Sequence, residues 1–259
     1  MAVRKTAFWK VLGLAVVLGM LGSGQEAGAA GLEFQLVPHI LEIGAFFQGA
    51  DITITGSIPA GSEAVLEVLG RTGNETFMRK GRRGLLWMNV GELDVKGAPS
   101  LYLVMSTSPG LLANPDMEVP WGFPAIKSHI TLDGDLKPDE QAEFKGQFLD
   151  LKESEGLYRA LPGALKVSGA EAGRASLRGT FHLPANVKPG TYQVCLSVVS
   201  QAQVIDKQCK NLTVEMVGFP SLLWTLAYEH GLIYGILAVV IAIFTGFSMG
   251  YLFKGGGGH

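Results

Sequence analysis

Cysteine is nearly absent from the sequence: two residues in 259, Cys195 and Cys209, with no C-x-x-C. That leaves thioredoxin-like chemistry and cysteine-rich zinc sites without support. Charge is also scarce. Charged residues make up 17% of the chain and nearly cancel, with a formal net charge of -2, so a nucleic-acid partner is not expected. The histidines, His39, His129, His182, His230 and His259, form neither an H-x-x-x-H pair nor an H-E-x-x-H motif, and no metal site is read from them. No phosphate-binding glycine loop and no G-x-S-x-G elbow is read from the sequence. The chain is therefore expected to be no enzyme and to use no cofactor.

Long apolar runs are missing from the middle of the chain and confined to its two ends. At the N-terminal end, Arg4, Lys5 and Lys10 precede the apolar stretch Val11 to Leu21, and Ala27-Gly28-Ala29 follows. This is the pattern of a secretory signal peptide, 1–29, cut after Ala29. Its removal takes three of the 21 basic residues and one of the 23 acidic ones, leaving a mildly acidic remainder. At the other end, Gly231 to Phe253 is a 23-residue run without a charge. As a helix it would be about 34 Å long, enough for a hydrocarbon core of roughly 30 Å. Trp224, Tyr228 and Tyr234 stand at its entrance, Tyr251 and Phe253 at its exit, and Lys254 follows, as interfacial aromatics and a stop-transfer charge do. One span is expected over a juxtamembrane and transmembrane segment, 219–254, with a short glycine-rich cytoplasmic tail, 255–259. The signal peptide would place the body, 30–218, outside the bacterial cytoplasmic membrane.

That body reads mostly as strands. The segments "ADITITGSIP", "EAVLEVLG", "SLYLVMSTS", "ASLRGTFHLP", "GTYQVCLSVV" and "KNLTVEM" alternate or are rich in β-branched residues, with Gly, Pro and Asn between them. A mainly β, immunoglobulin-like sandwich of one or two lobes is expected, with a break near 115–124. One inserted helix is expected from Pro138, Asp139 and Glu140 to Gly156, with Phe144, Phe148 and Leu151 on one stripe.

Taken in order, "FFQGADITITGSIP", "FMRKGRRGLLWMN", "GAPSLYLVMSTSP", "GLYR", "LPANVKPGTY" and the terminal span resemble a bacterial family catalogued only as transmembrane proteins, first in alphaproteobacteria. The resemblance covers nearly the whole mature chain and transfers no catalytic residue. Members of that family often neighbour sulfite-exporter-type anion permeases, which implies a membrane partner.

Four groups of residues are candidates for function or assembly. Cys195 and Cys209 flank an apparent hairpin whose turn, centred on Ala202, puts them opposite each other; a disulfide is the expectation outside the cytoplasm, with two free thiols or a redox pair as alternatives. Arg79, Lys80, Arg82 and Arg83 crowd around Gly81, either as a contact for an anion, a lipid headgroup or an acidic partner, or as a solvated hairpin tip. Asp133, Asp135, Asp139 and Glu140 fail the EF-hand spacing and read as a turn leading into a helix N-terminus. Gly231, Gly235, Ala238, Ala242, Gly246 and Gly250 fall on one side of the terminal helix as a face for close helix packing, either in a homodimer or against an integral-membrane partner. The expected function is that of a membrane-anchored accessory or interaction protein; a tethered binding module for a small anion or envelope component is the alternative, and an enzyme of unrecognised type the third.

Overall fold

The computed structural model describes residues 32–113, 121–134 and 137–253, with the side chains at 83, 87, 90 and 170 left aside. The expected signal peptide, the C-terminal tail, Asp135 and most of the expected break near 115–124 lie outside the described residues.

In chain order the strands are β1 (Glu33–Val37), β2 (Ile40–Ile43), β3 (Ala50–Pro59), β4 (Glu63–Leu69), β5 (Thr72–Arg83), β6 (Leu86–Pro99), β7 (Tyr102–Ser106), β8 (Thr131–Asp133), β9 (Tyr158–Leu161), β10 (Lys166–Glu171), β11 (Arg174–Leu183), β12 (Gly190–Ser200) and β13 (Gln203–Met216). The helices are α1 (Gly110–Ala113), α2 (Phe123–His129), α3 (Pro138–Ser154), α4 (Phe219–Tyr228) and α5 (Gly231–Phe253). The strands form three sheets, in the orders β1-β3-β11-β10, β2-β13-β12-β4-β7-β9 and β5-β6-β8, and one sheet curls into a half-barrel. Pairing is antiparallel except for β2 with β13 and β7 with β9.

Alternation along the first sheet sets its inner face. On β3, Ile52, Ile54 and Ile58 are buried, and on β11, Ala175, Leu177, Phe181 and Leu183, so every second side chain leaves water. These residues share one core with Leu66 and Val68 of β4 and Val194, Leu196 and Val198 of β12. Gly179 marks a close approach between the sheets. A Cβ there would lie 2.6 Å from Leu165 Cδ2 and 3.3 Å from Met105 Cε of β7, so a side chain at this position would require the Leu165 side chain to shift. The second sheet departs from strict alternation because β12 is buried on both faces from Val194 to Val199. Its outer face is covered in part by the segment around Leu111, Trp121 and Ile126, all buried.

Helix α3 begins and ends where the sequence places it. Pro138 supplies a preset φ in the first turn, and the Lys137 N–H donates to Glu140 Oε2 at 3.4 Å. At the other end Gly156 takes φ +72, while Leu157 N–H donates to Lys152 O at 3.0 Å and Gly156 N–H to Glu153 O at 2.9 Å. This pair of bonds around a left-handed glycine is a Schellman stop. The apolar stripe differs from the expected one. Phe148 and Leu149 are buried and Phe144 half-buried, but Leu151 is 41% exposed; Lys152 takes the inward place instead.

Lys152 can be buried because its charge is matched. Its Nζ lies 2.7 Å from Glu75 Oε2 on β5 and 3.5 Å from Glu155 Oε2, with the Phe148 ring 5.5 Å away. Around it, Phe77 of β5 meets Phe144 and Phe148 edge-on, each at 5.8 Å between centroids. Phe148 in turn meets Tyr158 of β9 at 6.2 Å. Thus α3 clamps the third sheet to the second. Replacing Phe148 with Ala removes the middle ring and is expected to cost about 3–5 kcal/mol of stability, read by urea unfolding in mild detergent. A loss below about 1 kcal/mol would show that the clamp carries little.

Candidate functional site

The basic residues stand on a strand rather than at its turn. Arg79, Lys80, Gly81, Arg82 and Arg83 pair along β6 with Gly91, Asn89, Met88, Trp87 and Leu86, with a bulge between Arg79 and Lys80. The two-residue turn is Gly84-Leu85, three positions beyond Gly81, because Gly84 supplies the positive φ, +65, that a tight hairpin needs. Arg82 Nε donates to Gly84 O at 3.2 Å in a solvent-exposed bond. The Arg79 guanidinium lies 3.9 Å from Glu140 Oε2 of α3, so this arginine faces the body. Lys80 and Arg82 are exposed; the Arg83 side chain lies outside the described residues.

Cys195 and Cys209 are direct cross-strand partners, and a disulfide joins them. The register has two causes. Gln201 and Ala202 both take positive φ, 50° and 62°, in a two-residue turn between Ser200 and Gln203. A bulge then adds one residue between the pairs Val199–Val204 and Val198–Asp206, which shifts β13 by one and brings 195 opposite 209. Cys195 is buried and Cys209 exposed.

On its other side Cys195 pairs with Glu67 of β4, a residue that sequence reasoning missed. Its signal was a lone charge inside the apolar run Ala64 to Leu69. Tyr102 Oη donates to Glu67 Oε1 at 3.0 Å and itself accepts the Gly122 N–H at 2.9 Å. Burial pushes the Glu67 carboxyl above its ordinary range, while the Tyr102 hydrogen bond, the Lys207 charge and the Trp121 side chain pull the other way. Burial, reinforced by the Glu67 charge, holds the Tyr102 phenol far above its usual value. Every partner here is a structural donor or acceptor. The arrangement pins the segment at Trp121-Gly122 over β4 and β7.

The remaining candidates are dispersed. Asp133 is ion-paired with Lys96, which holds its carboxyl below the usual range, while Asp139 and Glu140 occupy the first turn of α3. His182 Nδ1 is 2.7 Å from Asp51 Oδ1 and His129 Nδ1 2.7 Å from Ala125 O. Among the described residues no three His, Cys, Asp or Glu side chains gather as metal ligands. Gly246 to Gly250 does spell G-x-S-x-G, but it lies within the continuous helix α5, whereas a nucleophile elbow needs a strand-to-helix turn.

Helix α5 is the one described helix long and apolar enough to cross a membrane, and no residue of its most apolar window is buried. A Cβ added at Gly231, Gly235, Gly246 or Gly250 would meet nothing within 4 Å. At the N-terminal end Gly231, Leu232, Gly235, Ile236, Val239 and Val240 line a shallow apolar hollow. Residues 31–255 match the model of a family described as "Putative transmembrane protein (Alph_Pro_TM)". No curated protein matches the sequence.

The Glu67 site makes stability depend on pH in a defined direction. A raised folded-state value means that the protonated carboxyl favours the fold. This contribution is complete below the ordinary value of 4.5 and is lost as pH rises through the folded-state value. Glu67→Gln keeps an acceptor for Tyr102 and does not titrate. Its melting temperature, relative to the natural chain, is expected to rise as pH is taken from about 4 to about 7; a difference constant across that range would contradict it.

Proposed function

Because the chain belongs to the Alph_Pro_TM family, we infer that it works at the bacterial cytoplasmic membrane as a non-enzymatic accessory protein, with α5 as its anchor and the β-rich body on the extracytoplasmic side. The observation that carries this reading is α5 itself: 23 uncharged residues whose side chains find no cover in the body. Lipid satisfies such a surface and water does not. Helix α4 supports the same placement. Phe219, Leu222, Trp224 and Tyr228 are all more than half exposed, and the Trp224 and Tyr228 rings lie 5.1 Å apart, as side chains suited to the headgroup layer do. The extracytoplasmic orientation rests on the N-terminal signal-peptide pattern, and the two larger sheets are read as an immunoglobulin-like sandwich because they share one core.

The partner proposed is an integral-membrane protein, and the class implied by the family resemblance is a sulfite-exporter-type anion permease. The contact would run along Gly231, Gly235, Ala238, Ala242, Gly246 and Gly250, where the lack of side-chain bulk lets another helix approach closely. A homodimer through the same face is the other occupant. A second reading, a tethered module for a small anion, draws on the exposed Lys80 and Arg82 of the hairpin.

Gly235→Leu with Gly246→Leu fills the open face without adding polarity. The double variant is expected to insert normally but to lose crosslinking and co-purification with its membrane partner in mild detergent. Unchanged association would leave α5 as an anchor only. Binding of sulfite, sulfate or phosphate by the natural chain, abolished by Lys80→Ser with Arg82→Ser, would favour the second reading.

A further inference from the structure

The distal half of the β5–β6 hairpin is built unlike the rest of the body. The last residues on its two strands that turn away from water are Phe77, half-buried against α3, and Leu93, 3% exposed. Beyond them, no described side chain between 79 and 91 is buried. Leu85 lies six positions beyond Arg79, so at about 3.3 Å per residue the end extends up to about 20 Å past the contact of Arg79 with α3. What it displays is apolar and basic at once. Leu85 is 88% exposed, Leu86 70%, Met78 54% and Met88 46%, and Lys80 and Arg82 are exposed beside them. No acidic residue occurs from Thr76 to Gly91. Two leucines at the extremity of an ordered turn are costly in water and contribute to no core.

We propose that this hairpin end inserts into the headgroup layer of an anionic phospholipid bilayer, with Leu85 and Leu86 entering the acyl boundary and Lys80 and Arg82 meeting lipid phosphates. Apolar side chains ringed by cations match an anionic membrane surface in both respects. An acidic protein would satisfy the cations and leave the leucines wet, and a free anion would do the same. The inference rests on the reading of α5 as a tether in one respect: an anchored body keeps a membrane permanently within reach, so a weak insertion is enough. It also gives the body a second attachment point, which would fix its tilt over the bilayer instead of leaving it free on one helix.

The test uses the full chain reconstituted into vesicles, with an environment-sensitive NBD dye on Leu85→Cys and, as control, on Glu171→Cys at the exposed β10–β11 end. The natural cysteines are joined to each other and do not react with the dye. Flotation after carbonate washing reports α5 insertion separately, so a failed tether is distinguishable from an inert hairpin. In vesicles of phosphatidylcholine with phosphatidylglycerol, doxyl-labelled lipid is expected to quench the dye at 85 by about twofold or more and to leave the dye at 171 unchanged. Lys80→Ser with Arg82→Ser, and separately Leu86→Ser, are each expected to reduce that quenching while the melting temperature holds, because these side chains are exposed. Chains that float but show no quenching at 85 overturn the proposal. Equal quenching with and without phosphatidylglycerol overturns its anionic half. A shift at 85 that depends on protein density and not on doxyl lipid assigns the tip to a second copy and also overturns it.

Discussion

A run of aromatic rings joins the parts of this fold that backbone pairing leaves separate. Phe77 on the hairpin meets Phe148 on α3 at 5.8 Å, Phe148 meets Tyr158 on β9 at 6.2 Å, and Tyr158 meets Tyr102 on β7 at 6.2 Å, all edge-on. Each such contact contributes about 0.5–1.5 kcal/mol beyond the area it buries. Two of the rings are also held by polar bonds: Tyr158 Oη donates to Pro99 O at 2.7 Å, and Tyr102 Oη to Glu67. Lys152 adds a buried ion pair to Glu75 on the same strand as Phe77. The near half of the hairpin is therefore rigid with the body. The far half, whose described side chains are not buried, is carried out on a stiff base.

The second constraint is the absence, among the described residues, of any cover for α5. Hydrocarbon is the surrounding that its exposed side chains require, and the exposed aromatics of α4 fit the boundary next to it. A body attached there works within a short distance of a membrane surface. On the proposed reading the open glycines of α5 and the basic, leucine-tipped hairpin would be two different uses of that position: one would face a helix within the bilayer, the other the bilayer's charged surface. Neither requires the buried network of Glu67 and Tyr102, whose role is to hold the covering segment in place.

Much of this was legible in the sequence, and the reasons differ by element. The uncharged run 231–253 and the proline and glycine that bound α3 are local signals, and the structure places those elements where the signals put them. Strict alternation marked β3 and β11. It failed on β12, where both faces are covered and the side chains no longer report a period of two. Leu151 was assigned inward because it is apolar, but at its angle on α3 it meets water, and Lys152 goes in because Glu75, distant in sequence, neutralises it. The hairpin turn was read at Gly81, whereas the strand continues to Arg83 and turns at Gly84; both glycines fit a turn, and only the pairing with β6 separates them. Glu67 was overlooked because its meaning comes from Tyr102 and Trp121, which nothing local connects to it.

The account stands on the β body and the end of α5 lying on opposite sides of one membrane. An amine reagent that cannot cross membranes, applied to intact spheroplasts and followed by peptide mass spectrometry, measures this directly. Lys137, Lys188 and Lys207 are exposed on the body, and Lys254 follows the span. The account predicts labelling of the first three in intact spheroplasts and of Lys254 only after lysis. Labelling of Lys254 in intact spheroplasts, or protection of the three body lysines until lysis, would contradict it.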